Sequence, residues 1–280
     1  VTAPPNPPPQ PQDASTAAMT AAYFAATTAL RSRLLGFVAM MYAAQGDYRD
    51  AAAEAFVLSV VPTVLAAQQV MAGVTSAYLA QVIAAAGGGS TAPVGISQDA
   101  LSGLRGVAPT EVYRRPYVQV WTDLSRGKPF DVAVAAGGRR AQSIAATDLQ
   151  LAKTHTAREV MRNDRRVTGY RRVLTGPHSC ALCVLASTRR YSRGDLLPIH
   201  NNCDCAVEPL FGGARPDEVP AEELHAVIAR DLGDKYVSAG GTSGPIDYHK
   251  ILVTHNHGEL GPVLAVRDQH WTGPSEIPGG

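Results

Sequence analysis

Met19, Tyr23, Ala26, Leu30, Leu34, Phe37 and Met41 recur at steps of three and four residues. Only an α-helix lays such a series along one side. The spacing predicts a long helix capped by Asp13 or Ser15 and ended by Gly46-Asp47. A second helix is expected from about Tyr48 to Ala86, with Val60, Val64, Met71, Val74, Tyr78 and Val82 on one face and a break at Pro62. Much of the 45% hydrophobic content is alanine, while aromatics make up only 6%. That balance favours closely packed helices over a sheet sandwich. The expected product is an alanine-rich hairpin that packs on itself or on copies of itself.

Six of the first 12 residues are proline, which predicts an extended arm. The opening VTAPPNPPPQPQ has no basic or apolar export signal. The most apolar run, Ala55 to Ala67, lies between Glu54 and Gln68 and contains Pro62, and reads as too short to span a bilayer. No membrane partner is expected. Gly87-Gly88-Gly89-Ser90 with Pro93 reads as a linker. Helices are then expected at Ser97 to Arg105, Thr110 to Ser125 and Gln142 to Asn163, followed by a strand at "YRRVLT". A further helix is expected from Ala221 to Asp231, and two short strands about a turn at Gly258 to Pro262. No internal repeat is visible.

The net charge of +1 conceals an uneven distribution. From Arg139 to Arg193 there are 12 Lys and Arg against three acids, Asp148, Glu159 and Asp164, which makes a local +9 and leaves −8 elsewhere. Arg158, Arg162 and Arg165 fall at helical spacing, with Arg166, Arg171 and Arg172 close behind. Such a segment suits phosphate or an acidic protein surface, or forms a solvated face. No base-reading motif accompanies it, so DNA contact is expected to be independent of sequence.

All four cysteines fall between Cys180 and Cys205. Cys180-Ala-Leu-Cys183 can hold two corners of a zinc tetrahedron, and His200-Asn-Asn-Cys203-Asp-Cys205 offers three donors for the other two, with 19 residues between Cys183 and Cys203. The simplest set is Cys180, Cys183, Cys203 and Cys205, with His200 as the variant ligand. Two disulfides stay open for a chain that reaches an oxidising particle. A redox dithiol lacks a strand-to-helix setting, and a cysteine nucleophile lacks an orienting acid.

The segment "HSCALCVLASTRRYSRGDLLPIHNNCDCAVEPL" resembles the C-terminal signature of phage Mu F-type (MuF) minor head proteins. The matching positions are Cys180, Cys183, Tyr191, Pro198, His200, Asn202, Cys203, Cys205 and Pro209. "HGELGPVL", His257 to Leu264, is similar to versions carried by phages of actinobacteria. Asn201-Asn202 stands where that family often has Pro-Asn. The resemblance implies a structural protein of few copies, in the head interior or at the portal vertex, that contacts the portal protein and other capsid components and assists DNA packaging or ejection. Host cytoplasm would be its place during assembly.

The implied fold is α+β and mainly α-helical. Its parts are a Pro-rich arm (1–12), a helical hairpin (13–90), a MuF-like region with the basic helix and a Cys/His-stapled module (91–212) and an α/β tail (213–280). No catalytic residues are assigned. A capsid maturation protease is the enzymatic alternative, but no motif joins His155, His178, His249, His255, His257 or His270 to a serine.

Overall fold

The computed structural model describes residues 14–88, 93–174, 183, 186–187, 190–192, 205–211, 229, 232–238, 240, 247–257 and 261–268. Over these residues the chain is α+β and mainly helical. Helix α1 (Ala14–Ala43) and α2 (Asp50–Ile83) form the expected antiparallel hairpin, and α2 widens into a π turn at Ala84–Gly88. A short α3 (Gln98–Ser102) is capped by Ser97, whose hydroxyl accepts from the Ala100 amide. Then come α4 (Pro109–Ser125) and α5 (Phe130–Asn163). Strands β1 (Val167–Val173), β2 (Arg190–Ser192) and β3 (Ala206–Phe211) make one antiparallel sheet in the order β2-β1-β3. Short helices α6 (Asp234–Ser238) and α7 (Tyr248–Ile251) precede the hairpin of β4 (Leu252–His257) and β5 (Gly261–Val266). The expected two-stranded tail is therefore present. The Pro-rich arm and most of the expected Ala221–Asp231 helix lie outside the described residues.

Three sequence expectations need correction. Pro62 does not break α2. It lies on the exposed side with Leu58, which is 74% exposed, so the carbonyl left without an amide donor can be hydrated. Buried Val60 and Val64 hold the helix together on the opposite side. The run read as too short for a bilayer therefore belongs to one helix from Asp50 to Ala86, which is long and apolar enough to cross a membrane by length and composition alone. Here it is a packed helix, with its ring-bearing side against α1, α4 and α5.

The buried side of α1 is also displaced from the apolar series. Thr16, Thr20, Tyr23, Thr27, Leu34, Val38 and Tyr42 are buried, whereas Ala26 is exposed and Met19, Leu30, Phe37 and Met41 sit at the edges. Finally, α5 begins at Phe130 instead of Gln142 and runs straight through Gly137-Gly138. Glycine costs a helix roughly 1 kcal/mol, but a Cβ on Gly137 would meet Val120 Cγ2 at 2.7 Å and the Pro116 carbonyl at 2.9 Å. The missing side chain is what lets α4 and α5 approach.

The hairpin does not stand apart, because α1 and α2 share one core with α4 and α5. At one end Tyr42, Tyr48, Phe56, Tyr117 and Trp121 stack into a ring cluster, and Trp121 Nε1 donates to the Tyr48 carbonyl at 2.6 Å. In the middle sits Asp148 of α5, 5% exposed. Its Oδ1 accepts from Arg105 Nε at 2.6 Å and its Oδ2 from Tyr113 at 2.8 Å. Arg105 also donates to the Ile144 carbonyl at 3.1 Å, and Gln68 of α2 donates to the Asp148 carbonyl at 3.3 Å. Burial, reinforced by Asp148, pushes the Tyr113 hydroxyl well above its ordinary pKa, so it stays a donor.

Asp148→Ala strands a buried guanidinium and a buried hydroxyl, and is expected to cost about 3–5 kcal/mol. Tyr113→Phe should cost about 1–2 kcal/mol. Denaturant unfolding followed by circular dichroism checks both, and equal losses would show that the carboxylate does not join the helices as described.

Candidate functional site

β1 follows α5 after a tight turn at Asp164, whose Oδ1 and Oδ2 accept from Arg166 Nε and Nη2 at 2.9 and 2.5 Å. This pairing with Arg166 holds the Asp164 carboxyl below the usual carboxylate range. In the sheet, Tyr170 of β1 stands between Tyr191 of β2 and Pro209 of β3. The register shifts between Val167 and Gly169, where a Cβ would lie 2.5 Å from the Tyr191 carbonyl.

Strand alternation sorts the neighbouring arginines onto opposite faces. Arg171 faces its cross-strand partner Glu208, with Nε and Nη2 at 2.9 and 2.8 Å from Oε2. Arg172 turns inward with Tyr170 and is 3% exposed. Its Nη1 donates to Cys205 Sγ at 3.2 Å, and its guanidinium lies 5.8 Å from the Tyr191 ring centroid. The Tyr170 and Tyr191 rings stack at 5.0 Å, and the Tyr191 hydroxyl donates to the Ala186 carbonyl at 3.0 Å.

Cys205 enters β3, while Cys183 is helical, as are Ala186 and Ser187. Both cysteines are buried in one apolar cluster with Tyr23 of α1, Tyr78, Leu79 and Ile83 of α2, and Val160 and Met161 of α5. Tyr23 and Tyr78 stack at 4.2 Å and bond to Thr75 and Thr20 at 3.0 and 3.1 Å. Burial, with Tyr78 and Cys205 alongside, drives the Tyr23 hydroxyl far above its ordinary pKa, and burial pushes Tyr78 up to about 12. Both are neutral donors or acceptors under any ordinary condition. Cys205 of this cluster carries one charged neighbour among the described contacts, the Arg172 guanidinium.

Of the proposed ligands, Cys183 and Cys205 are both buried in this core cluster, while Cys180, His200 and Cys203 lie outside the described residues. Among the described residues, no group of three or more His, Cys, Asp or Glu is arranged to hold a metal.

The six arginines separate by role. Arg158 is half-buried on α5, and its Nε is buried without a hydrogen-bond partner. Arg162 is exposed, 3.8 Å from Glu159. Arg165 is exposed but lies beyond the end of α5, so the expected helical face of three ends at Arg162. Arg166 clasps Asp164, Arg171 bridges to Glu208 and Arg172 is in the core.

Among the histidines, His155 is half-buried on α5, its Nδ1 has no hydrogen-bond partner, and burial lowers its pKa, which keeps it neutral. His255 and His257 lie in β4, opposite Val263 and Gly261. The sequence reading missed the Arg172–Cys205 contact. The signal for it was present, since Tyr170 and Arg172 are two apart in a strand and must share a face. No family model, no curated protein and no solved structure matches the chain.

Arg171→Ala and Glu208→Ala should each lower the melting temperature, with a coupling of about 1 kcal/mol in a double-mutant cycle. Arg162→Ala and Arg165→Ala should leave melting unchanged. A zero coupling would remove the sheet role given to Arg171.

Proposed function

We propose that this chain is a MuF-type minor capsid protein of a phage head, structural in character, whose cysteine module is stapled by zinc. The observation that carries the staple is the burial of Cys183 and Cys205, one from each half of the cysteine window, in a single core cluster. Two buried sulfurs from segments this far apart in sequence fit half the donor set of a structural zinc site. Cys180 and Cys203, each close in sequence to one of them, would supply the remaining thiolates, with His200 as the substitute for one. When bound, zinc would supply cross-linking of the two halves and no chemistry on a substrate.

The head role rests on the resemblance of the cysteine window to the MuF signature, and the fold is compatible with it. A helical layer offers its outer faces to neighbours, and Arg162 and Arg165 offer exposed charge to the portal or to phage DNA. DNA contact of this kind would be independent of sequence and would weaken steeply with salt.

The purified full chain is expected to carry equimolar zinc, and removal by a chelator should lower its melting temperature. Metal-free protein with four thiols indifferent to chelators would sink the staple. For the head role, the chain is expected at the portal vertex in few copies when co-expressed with portal and capsid proteins and imaged in particles. Uniform placement across the shell, or absence from particles, would refute that role. On DNA, Arg162→Ala and Arg165→Ala should each reduce the salt slope of duplex binding by about one.

A further inference from the structure

The outer side of the α1–α2 hairpin has the composition of a packing side, yet it stands in water. Both helices pack on α5 and on each other, so their remaining sides form one surface turned away from α5. Ala22, Ala29 and Met40 of α1 are exposed, as are Leu58, Ala66 and Val70 of α2. Met40, Leu58 and Val70 keep 59%, 74% and 52% of their surface open. Over residues 14–43 and 55–88 the only charged side chains are Arg31 and Arg33. A helix side that faces water in a finished structure normally carries charged and polar groups.

Two glycines give a separate sign. Gly36 of α1 and Gly73 of α2 are both exposed in helix interiors. A Cβ added to either would meet nothing within 4 Å, so the single chain has no packing need for glycine there. Glycine weakens a helix, and its use is to let another backbone come close. At Gly137 that backbone belongs to α4, where a Cβ would lie 2.9 Å from the Pro116 carbonyl. At Gly36 and Gly73 it must come from outside the chain.

We propose that this face is the interface of a symmetric dimer, in which the α1–α2 hairpins of two copies of this chain pack together. The size is right. Helices of 30 and 34 residues lying roughly 10 Å apart present a face of about 45 Å by 20 Å, on the order of 900 Å². A stable interface takes roughly 800 Å² from each partner. A face with so little charge attracts neither DNA nor an acidic protein, and needs a partner equally uncharged and equally long. A second copy brings that surface, and twofold symmetry lets the face meet itself. Lipid fits it less well, because residues 14–88 hold no tryptophan or lysine to anchor at a headgroup layer. The pairing does not depend on the capsid reading.

The test measures the mass of the purified full chain by sedimentation and light scattering from submicromolar to high micromolar concentration. The wild type is expected to pass from one to two copies within that range. Leu58→Glu and Ala66→Glu, which place a carboxylate on the face, should each raise the dissociation constant about 100-fold. Both positions stand in water in the single chain, so helical circular dichroism should be retained, and if one variant does not fold the other decides. Gly73→Ala separates a contact from general loosening. It should raise the melting temperature at dilutions where the chain is single, yet weaken pairing about tenfold. Val132→Glu, an exposed apolar position on α5, should leave pairing unchanged.

A wild type that stays single throughout overturns the proposal. So does a dimer that both glutamate variants leave intact, and so does one broken by Val132→Glu alone, which would place the interface elsewhere. A single chain that binds phosphatidylcholine vesicles, and loses that binding in Leu58→Glu, overturns it in favour of lipid.

Discussion

A carboxylate buried at the middle of α5 joins four separate pieces of this chain. Asp148 takes hydrogen bonds from Arg105 beyond α3 and from Tyr113 of α4, and its own carbonyl receives Gln68 of α2. A buried carboxylate satisfied this fully fixes register as well as proximity, because sliding α5 by one turn would leave a guanidinium and a hydroxyl unpaired. The rest of the helical layer is alanine-rich, and small side chains specify register poorly by shape. The polar knot supplies the specificity that the apolar packing lacks.

Much of the helical architecture was legible because its signals are local. The series from Val60 to Val82 in α2 names residues that are buried or nearly so, and Ser97 announces the start of α3. The displaced face of α1 was not legible for a physical reason. Thr16, Thr20 and Thr27 count as polar in any pattern, yet Thr20 donates to the Thr16 carbonyl and Thr27 to the Phe24 carbonyl, so both hydroxyls are satisfied inside the core. The start of α5 at Phe130 was not legible either: glycine costs a helix, and only the close approach of the Tyr42 hydroxyl, Val120 and Pro116 to the backbone of Gly137 accounts for it there.

Of the cysteine window, the structure describes Cys183 and Cys205, both buried in one cluster, and the spacing that groups them with Cys180 and Cys203 does not announce that Arg172 lies against Cys205. The six arginines look alike in a charge count. Folding separates them into an exposed pair, a turn clasp, a cross-strand bridge, a half-buried helix residue and one core residue. Charge runs report composition, and only long-range pairing of β1 with β2 and β3 decides which members face water.

The tight turn between α5 and β1 has a mechanical consequence. At 34 residues, α5 is about 50 Å long, bolted to the helical layer at Asp148 and clasped to the sheet through Asp164 and Arg166. A rod fixed at mid-length and at its end has no free hinge between those points. The sheet is also held from the side, because the cluster that buries Cys183 and Cys205 includes Tyr23 of α1 and Tyr78, Leu79 and Ile83 of α2. Helices and sheet are thus fastened along two lines, and the two buried sulfurs lie where those lines meet.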